Sequence, residues 1–291
     1  MRNKTALMAC LMVMAWGCGQ SPETLPDSTG RTCEVWVADS GHVLKQMLER
    51  PYGGLPQEEP SYDVRSLPQG KPDKAHRYVR STVVYESGTP LRVERNRYAR
   101  PQLIIYTDGQ QPDKVLRLLE AQETAWQTAR LKAKHNPKAE KMVHDLLGAR
   151  MLLPADLQSD KRGHDFVWLS NNSATSMRNI CLMRIAATAY REAAIDSVLR
   201  QNMPGETDDM YMQTVRGSLR WQRPTGKAQQ GRQYAEGLWE MKGDAMGGPM
   251  ALMVCNRGDS TLVAMVFAYA PGLRKRDLMV ALKASLHTID F

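Results

Sequence analysis

The sequence lacks the short motifs that reveal most common enzyme classes. It contains no HExxH zinc motif, no G-x-S-x-G nucleophile elbow, no P-loop and no GxGxxG nucleotide fingerprint. Its six histidines are scattered, and none forms a pair at the spacing of one helix face. These absences weigh against zinc hydrolases, α/β-hydrolases and nucleotide-dependent enzymes, and we expect neither a cofactor nor a metal.

Cysteine is scarce, with five residues in a chain of 291. Cys10 and Cys18 lie close to the N-terminus, which leaves Cys33, Cys181 and Cys255 for the body of the protein. The wide spacing of these three excludes a zinc ribbon and a CxxC redox motif. Cys181 and Cys255 both fall in predicted strands, so a disulfide between them stays open beside the alternative of two buried thiols.

The N-terminal apolar run is too short to cross a bilayer. It covers roughly ten residues, from about Ala6 to Trp16, after a positive start at Arg2 and Lys4, which is typical of an export signal. The following stretch is rich in Gly, Pro, Ser and Thr, a composition typical of linkers. We predict a cleaved signal peptide over 1–17 and a flexible tether over 18–32.

The segment Ala15-Trp16-Gly17-Cys18 resembles the lipobox of bacterial lipoproteins, although that family has a small residue where this chain has Trp16. The resemblance implies cleavage before Cys18 and attachment of a diacylglyceryl group to its sulfur. Each buried CH₂ of such an anchor contributes about 0.8 kcal/mol, so attachment to the membrane would be permanent. One alternative stays open, a plain secretory cut at the same Ala-x-Gly site. The segment Leu7-Met8-Ala9-Cys10 also resembles a lipobox, but it lies too early, because only a few apolar residues would precede the cut.

The chain is basic, with a formal net charge of +8. Its Lys and Arg residues are spread among acids, and no polybasic run or aromatic RNA-binding signature is present. This pattern weighs against nucleic acid as a partner, whereas an anionic membrane or polysaccharide surface stays open. About 260 residues follow the tether, enough for two domains of ordinary size.

Hydrophobic periodicity predicts the elements of two halves. In the first half we expect strands at 33–39, 77–86, 91–96 and 101–107, and helices after Ser40, from Pro112 and within 138–148. In the second we expect strands at 166–170, 179–187, 210–215, 233–243, 250–258 and 261–271, and helices at 190–203 and from about Lys275. The Pro- and Gly-rich segment 51–74 is predicted as a loop. The fold class is therefore α+β, with domains at 33–149 and 150–291, each a mainly antiparallel sheet packed by helices.

Five segments together resemble a family of exported Bacteroidetes lipoproteins known only as a domain of unknown function. They are GLPQEEPSYDV, ARPQLIIYT, FVWLS, GLWEMKGDAMGGP and FAYAPGLRKRDLMVALKASLHTIDF. The resemblance implies a two-part lipoprotein and no particular reaction. The second half is also similar in layout to PsbP-like α/β sandwiches. Surface-exported members of such lipoproteins carry an acidic run after the lipidated cysteine, and residues 19–23 lack one, which favours the periplasmic face of the outer membrane.

The stretch GLWEMKGDAMGGPM, residues 237–250, is the first candidate for ligand binding. Gly247 and Gly248 permit positive φ or close backbone approach, and Asp244 lies between the flanking strands. Trp239 and Trp221 would offer a stacking surface for a sugar ring. The alternative is that Trp239 belongs to the core, because it alternates with polar residues on a strand.

The second candidate is the arginine cluster in LRVERNRYARP, with Arg92, Arg95, Arg97 and Arg100 close together in sequence. Arginine is suited to bidentate capture of carboxylate or phosphate. The alternative interpretation is a solvated strand face.

A third set of candidates lies in the loops at 55–60 and 243–249. Gln57 and the pair Glu58-Glu59 lie in the first loop, and a hydrolase would need carboxylates from the two loops to face each other across a cleft.

The leading hypothesis is a non-catalytic, lipid-anchored binding or assembly module on the periplasmic face of the outer membrane. Its partners would be the membrane, through the N-terminal lipid, and envelope proteins or glycans. A hydrolase of envelope glycan or peptide, and a surface-exposed glycan-binding lipoprotein, stay open as alternatives.

Overall fold

The computed structural model describes residues 24–39, 42–67, 73–186, 191–222 and 231–291. The predicted signal peptide, Cys18, the start of the tether and Ser40 lie outside this part of the chain. Residues 27–30 do not continue the flexible tether that we expected up to residue 32. The amide of Thr29 donates to the carbonyl of Tyr78 at 2.9 Å, and the amide of Arg80 donates to the carbonyl of Thr29 at 2.8 Å. The folded first half therefore begins before Cys33.

The first half contains a five-stranded sheet with the strand order β2-β1-β3-β5-β4. The strands are β1 (Glu34–Ala38), β2 (Asp63–Ser66), β3 (Ser81–Tyr85), β4 (Arg92–Arg95) and β5 (Leu103–Thr107). Three of the four strand pairs are parallel, and only β4 runs antiparallel to its neighbour. The α+β class is confirmed, but the prediction of a mainly antiparallel sheet is wrong for this half. Strand β2 lies inside the predicted loop 51–74, and the long connections on either side of it make the parallel pairing possible.

Two helices, α1 (Val43–Leu48) and α2 (Pro112–Ala133), cover one face of this sheet. Their apolar residues pack against alternate residues of the strands, because side chains on a strand point to the two faces in turn. This core consists mainly of Val35, Val37, Leu44, Leu48, Val83, Leu103, Ile105, Val115 and Leu119.

The second half contains an eight-stranded sheet in which every pair is antiparallel, as predicted. Seven strands follow the order β10-β11-β12-β13-β8-β7-β6, and β9 pairs with the far end of β11. The strands are β6 (Ser159–Gly163), β7 (Phe166–Ser170), β8 (Met177–Ala186), β9 (Tyr211–Thr214), β10 (Arg220–Gln222), β11 (Arg232–Lys242), β12 (Gly247–Arg257) and β13 (Ser260–Tyr269).

Helices cover both faces of the second sheet, and the elements are α3 (Pro137–Leu147), α4 (Arg191–Asn202) and α5 (Arg276–Leu286). Helices α3 and α5 pack on one face, and α4 packs on the other. Helix α3 was predicted to belong to the first domain, but Ala139, Val143 and Leu147 are buried in the core of the second sheet. The structural boundary between the halves therefore lies near residue 135 rather than at 149. None of the helices in the described ranges is both long and apolar enough to cross a membrane.

Cys181 and Cys255 lie on neighbouring parts of one sheet but face away from each other. Cys181 is buried in the core beneath α4, and Cys255 is buried in the core beneath α3 and α5. Both are free thiols, as is the buried Cys33. The second of the two alternatives, buried thiols that pack as small apolar groups, is the one that the fold adopts.

Candidate functional site

A cavity of about 500 Å³ lies between the two halves of the chain. Helix α2 and the segment that carries Tyr52 and Tyr62 form its wall on the side of the first sheet. Strands β11 and β12 and helix α5 form the opposite wall. Pockets for small molecules commonly have this size and occur where two structural units meet. The cavity is therefore the candidate functional site.

Lys283 enters this cavity from the stripe of α5 that faces the sheet. Its Nζ lies 2.8 Å from Oε1 of Glu236 on β11 and 4.6 Å from the centre of the Tyr52 ring. Tyr234 is two residues before Glu236 on the same face of β11, and its hydroxyl donates to the same Oε1 at 2.6 Å. The lysine side chain is only 13% exposed. An ammonium that is largely removed from water is thus held by one carboxylate and one aromatic face.

The protonation states of these groups follow from burial and from the charges nearby. Burial alone lowers the pKa of Lys283, but Tyr52, Tyr234 and Glu236 outweigh it and hold that pKa well above its ordinary value. Burial raises the pKa of Tyr52 to about 12, and it also raises the pKa of Tyr234 and of the Cys33 thiol. At neutral pH these four groups are therefore an ammonium, two neutral phenols and a neutral thiol, and none of them is poised as a nucleophile or a general base. His287 also lines the cavity, and burial together with the charge of Lys283 lowers the pKa of its imidazole.

A second ion pair supports the wall formed by α2. Oε2 of Glu123 lies 3.4 Å from Nη2 of Arg80, and Oε1 accepts a hydrogen bond from Gln127 at 2.9 Å. Arg80 is 1% exposed, and its guanidinium stacks 3.5 Å above the ring of Trp126. Burial raises the pKa of Glu123, and the charge of Arg80 opposes this rise. These contacts hold the Glu123 carboxylate in place in the wall.

The Tyr52 hydroxyl is the least satisfied polar group of the cavity. It is buried and has no hydrogen-bond partner at ordinary geometry, although Lys283 is close enough to act on its pKa. A buried hydroxyl without a partner costs free energy that a bound polar group would recover.

The residues predicted around the loop 237–250 belong to the sheet. Trp239 is 3% exposed, its Nε1 donates to the carbonyl of Ala268 at 3.2 Å, and its ring packs edge-on against Phe267. A ring this buried has no free face for a sugar, so the stacking surface is corrected to a core position. Gly247 and Gly248 are strand residues that pair with β11, and the turn is limited to residues 243–246.

The predicted pairing of two acidic loops does not occur. Asp244 is exposed on the turn between β11 and β12, and Gln57 and Glu58 are exposed on the first loop. Glu59 is buried, and its two oxygens accept the backbone amides of Lys275 and Arg276 at 2.6 and 3.0 Å. Neither Glu58 nor Asp244 lines the cavity between the halves. A catalytic carboxylate pair from these loops is therefore not assembled.

The arginine cluster is divided between the two faces of the first sheet. Arg95 reaches α2, where it donates to Gln122 at 3.3 Å. Arg97 lies on the opposite side and pairs with Glu94 at 2.7 Å. Arg92 also bonds Glu94 and stacks 3.6 Å above the ring of Tyr106, while Arg100 is exposed. The four guanidinium groups do not converge on one point.

Sequence reasoning missed the residues that line the cavity, although one signal was present. Lys283 follows Leu282 on an apolar helix, and it occupies a position beside Met279 and Leu286 where a buried residue is expected. A lysine on such a stripe requires a partner, and that partner lies 47 residues away on β11. Within the described residues, no group of three or more His, Cys, Asp or Glu side chains is arranged to hold a metal ion.

Comparisons with known proteins assign the chain to a family without assigning an activity. No curated protein matches it. Solved structures that resemble it include the Ran-binding protein Mog1p of Saccharomyces cerevisiae, with a TM-score of 0.31 and 9% identity over 49% of this chain and 89% of that one. A likeness of this size carries no argument about function. The family described as Domain of unknown function (DUF8532) matches residues 32–142. The family described as Domain of unknown function (DUF4837) matches residues 136–288, about half of the sequence, and the chain belongs to this family.

Proposed function

We propose that this protein is a non-catalytic ligand-binding module of the bacterial cell envelope. The observation that carries the proposal is the cavity between the halves, whose volume is about 500 Å³ and whose walls come from both halves. Two of the charged groups that line it are held by partners, Lys283 by Glu236 and Glu123 by Arg80. Groups held in this way recognise a ligand by hydrogen bonding, whereas a catalyst needs a group whose pKa lies near the working pH.

The proposal includes a lipid anchor at Cys18 on the periplasmic face of the outer membrane. The support is the signal-like run before Cys18, the resemblance to a lipobox, and the absence of an acidic run in residues 19–23. The resemblance to exported Bacteroidetes lipoproteins favours the same location and a bacterium of that phylum as the source. The folded part starts near Asp27, so a tether of only about eight residues would hold the first half close to the membrane.

The anchor is tested by metabolic labelling with a palmitate analogue in the native host. We expect label on the full chain and on Cys10→Ser, and none on Cys18→Ser, which should also leave the membrane fraction. Label that persists in Cys18→Ser would overturn the proposed attachment site. Protease treatment of intact cells then reports the orientation, because a protein facing the periplasm is protected and a surface-exposed one is cut.

Ligand binding is tested on the full chain purified from native cells. We expect denaturation of the washed protein to release a small molecule that mass spectrometry detects, and less of it from Tyr52→Phe. Cross-linking of intact cells with the wild type and Cys18→Ser as baits adds a search for envelope protein partners. Two results would overturn the proposal: no molecule released from the wild type, or turnover of an envelope glycan or peptide that a single side-chain change abolishes.

A further inference from the structure

The ion pair between Lys283 and Glu236 has unused hydrogen-bonding capacity. Only Oε1 of Glu236 is engaged, by Lys283 at 2.8 Å and by Tyr234 at 2.6 Å, and Oε2 accepts no hydrogen bond from a described residue. The ammonium of Lys283 has three N–H groups and uses one of them on Glu236. Lys283 thus keeps two unused N–H groups and Glu236 keeps one unused oxygen, and both residues line the cavity.

Two adjacent hydroxyl groups on neighbouring carbon atoms match this pair. One hydroxyl can accept from the ammonium while the next donates to the carboxylate, because every hydroxyl is both a donor and an acceptor. Hydrogen bonds to charged groups are the stronger ones. The buried hydroxyl of Tyr52 lies beside Lys283 without a partner, and it offers a third contact on the same wall.

The charges of the cavity weigh against an ionic ligand. Glu120, Glu123 and Glu236 line it together with Lys283, so an anion would meet three carboxylates. A cation bound beside Glu236 would be repelled by the ammonium of Lys283, which already occupies that carboxylate. A neutral ligand avoids both costs.

We infer that the cavity binds a neutral polyhydroxylated molecule of the size of a mono- or disaccharide, with vicinal hydroxyls bridging Lys283 and Glu236 and a further hydroxyl on Tyr52. This inference rests on the proposed function, because it names the ligand class of the same site. The volume of about 500 Å³ accommodates one or two sugar rings. A free saccharide and the end of an envelope glycan would present the same hydroxyl groups to this site.

The test is isothermal titration of the full chain in a polyoxyethylene detergent, which carries no sugar headgroup. The probes are N-acetylglucosamine, N,N′-diacetylchitobiose and maltose as neutral saccharides, citrate as an anion and putrescine as a cation. We expect a saccharide to bind, and Tyr52→Phe to weaken it about five- to tenfold through one lost hydrogen bond. Tyr85→Phe, which removes a hydroxyl that does not line the cavity, should bind as the wild type does.

Each other result overturns the inference in a distinguishable way. If no neutral saccharide binds, the inferred ligand class is wrong. If citrate or putrescine binds instead, and Tyr52→Phe weakens that binding, the cavity still binds a ligand and the proposed function stands. If a saccharide binds equally to the wild type and to Tyr52→Phe, the assignment to this cavity is wrong. Because Tyr52→Phe keeps the ring that Lys283 contacts, a circular dichroism spectrum equal to that of the wild type separates a binding defect from misfolding.

Discussion

The carboxylate of Glu59 holds the backbone of Arg276, a residue 217 positions further along the chain. Its Oε2 accepts the amide of Arg276 at 3.0 Å, and its Oε1 accepts the amide of Lys275 at 2.6 Å. The first amides of a helix have no partner within the helix, so Glu59 acts as the N-terminal cap of α5 from the other half of the protein. Lys283 lies two turns further along α5, so this contact also helps to position Lys283 in the cavity.

Loss of this cap should destabilise the whole protein. We expect Glu59→Ala to lower the free energy of unfolding by about 2–3 kcal/mol, since it leaves two buried amides without an acceptor. Urea unfolding at pH 7 measures the change. The matched control is Glu58→Ala, because Glu58 is adjacent but exposed, and it should stay within about 0.5 kcal/mol of the wild type. Equal effects of the two substitutions would contradict the capping role.

The ion pair of Asp63 with Arg276 should make stability depend on pH. Nη2 of Arg276 lies 2.7 Å from Oδ2 of Asp63, and Arg274 lies 3.0 Å from Oδ1. Burial alone raises the pKa of Asp63, but the two arginines outweigh it and lower that pKa. A carboxyl with a lowered pKa in the folded state stabilises the protein above its unfolded pKa, and this contribution is lost as the pH falls through the folded pKa.

We therefore expect Asp63→Asn to be less stable than the wild type at pH 7 and the difference to shrink below about pH 4. Water reaches part of the Asp63 side chain and screens the pair, so the difference at pH 7 should be about 1 kcal/mol. Urea unfolding at several pH values between 3 and 7 provides the measurement. Asp244→Asn, on the exposed turn, should follow the wild-type curve. A difference between Asp63→Asn and the wild type that does not change with pH would contradict the assignment.

Local sequence patterns predict most of the elements, because period and turn residues act over a few positions. The strand Phe166–Ser170 and the helices that begin at Pro112 and Pro137 lie where their patterns placed them. Strand β2 was missed because DVRS is short and polar and lies in a Pro-rich segment, where only pairing with β1 makes it a strand.

Pairing direction and the cavity depend on contacts between distant segments. The parallel pairing in the first sheet depends on the path of its long connections. A local sequence pattern does not predict that path. The same limit applies to the site: Tyr52, Glu236 and Lys283 meet only after both halves fold and dock. Trp239 is a residue whose position a local pattern did predict. Its alternation with Glu240 favoured a core position, and the structure places it in the core.

Trp239 should contribute to stability as a core residue. Its ring packs against Phe267 and Tyr269, and its Nε1 donates to the carbonyl of Ala268 at 3.2 Å. We expect Trp239→Ala to lower the free energy of unfolding by about 3–5 kcal/mol, the usual cost of deleting a buried aromatic ring. The comparison is Trp221→Ala, because Trp221 is 37% exposed and should cost about 1 kcal/mol or less. Chemical unfolding followed by far-UV circular dichroism measures both, and a Trp239→Ala protein as stable as Trp221→Ala would contradict the core assignment.

Gly248 should be required because β13 passes too close for any side chain. A Cβ atom at this position would lie 2.2 Å from the carbonyl oxygen of Ala268 and 3.1 Å from Nε1 of Trp239, the two atoms joined by the hydrogen bond of that tryptophan. A methyl group there must push β12 from its neighbour or break that bond. We expect Gly248→Ala to cost about 2–3 kcal/mol. Gly53→Ala is the control, since a Cβ atom at that position would meet nothing within 4 Å beyond its own chain neighbours, and it should stay within about 0.5 kcal/mol. Urea unfolding gives both free-energy changes from the midpoint concentrations, provided that the dependence of the free energy on urea has the same slope in each variant. A Gly248→Ala midpoint equal to that of Gly53→Ala would show that the strands can move apart at little cost.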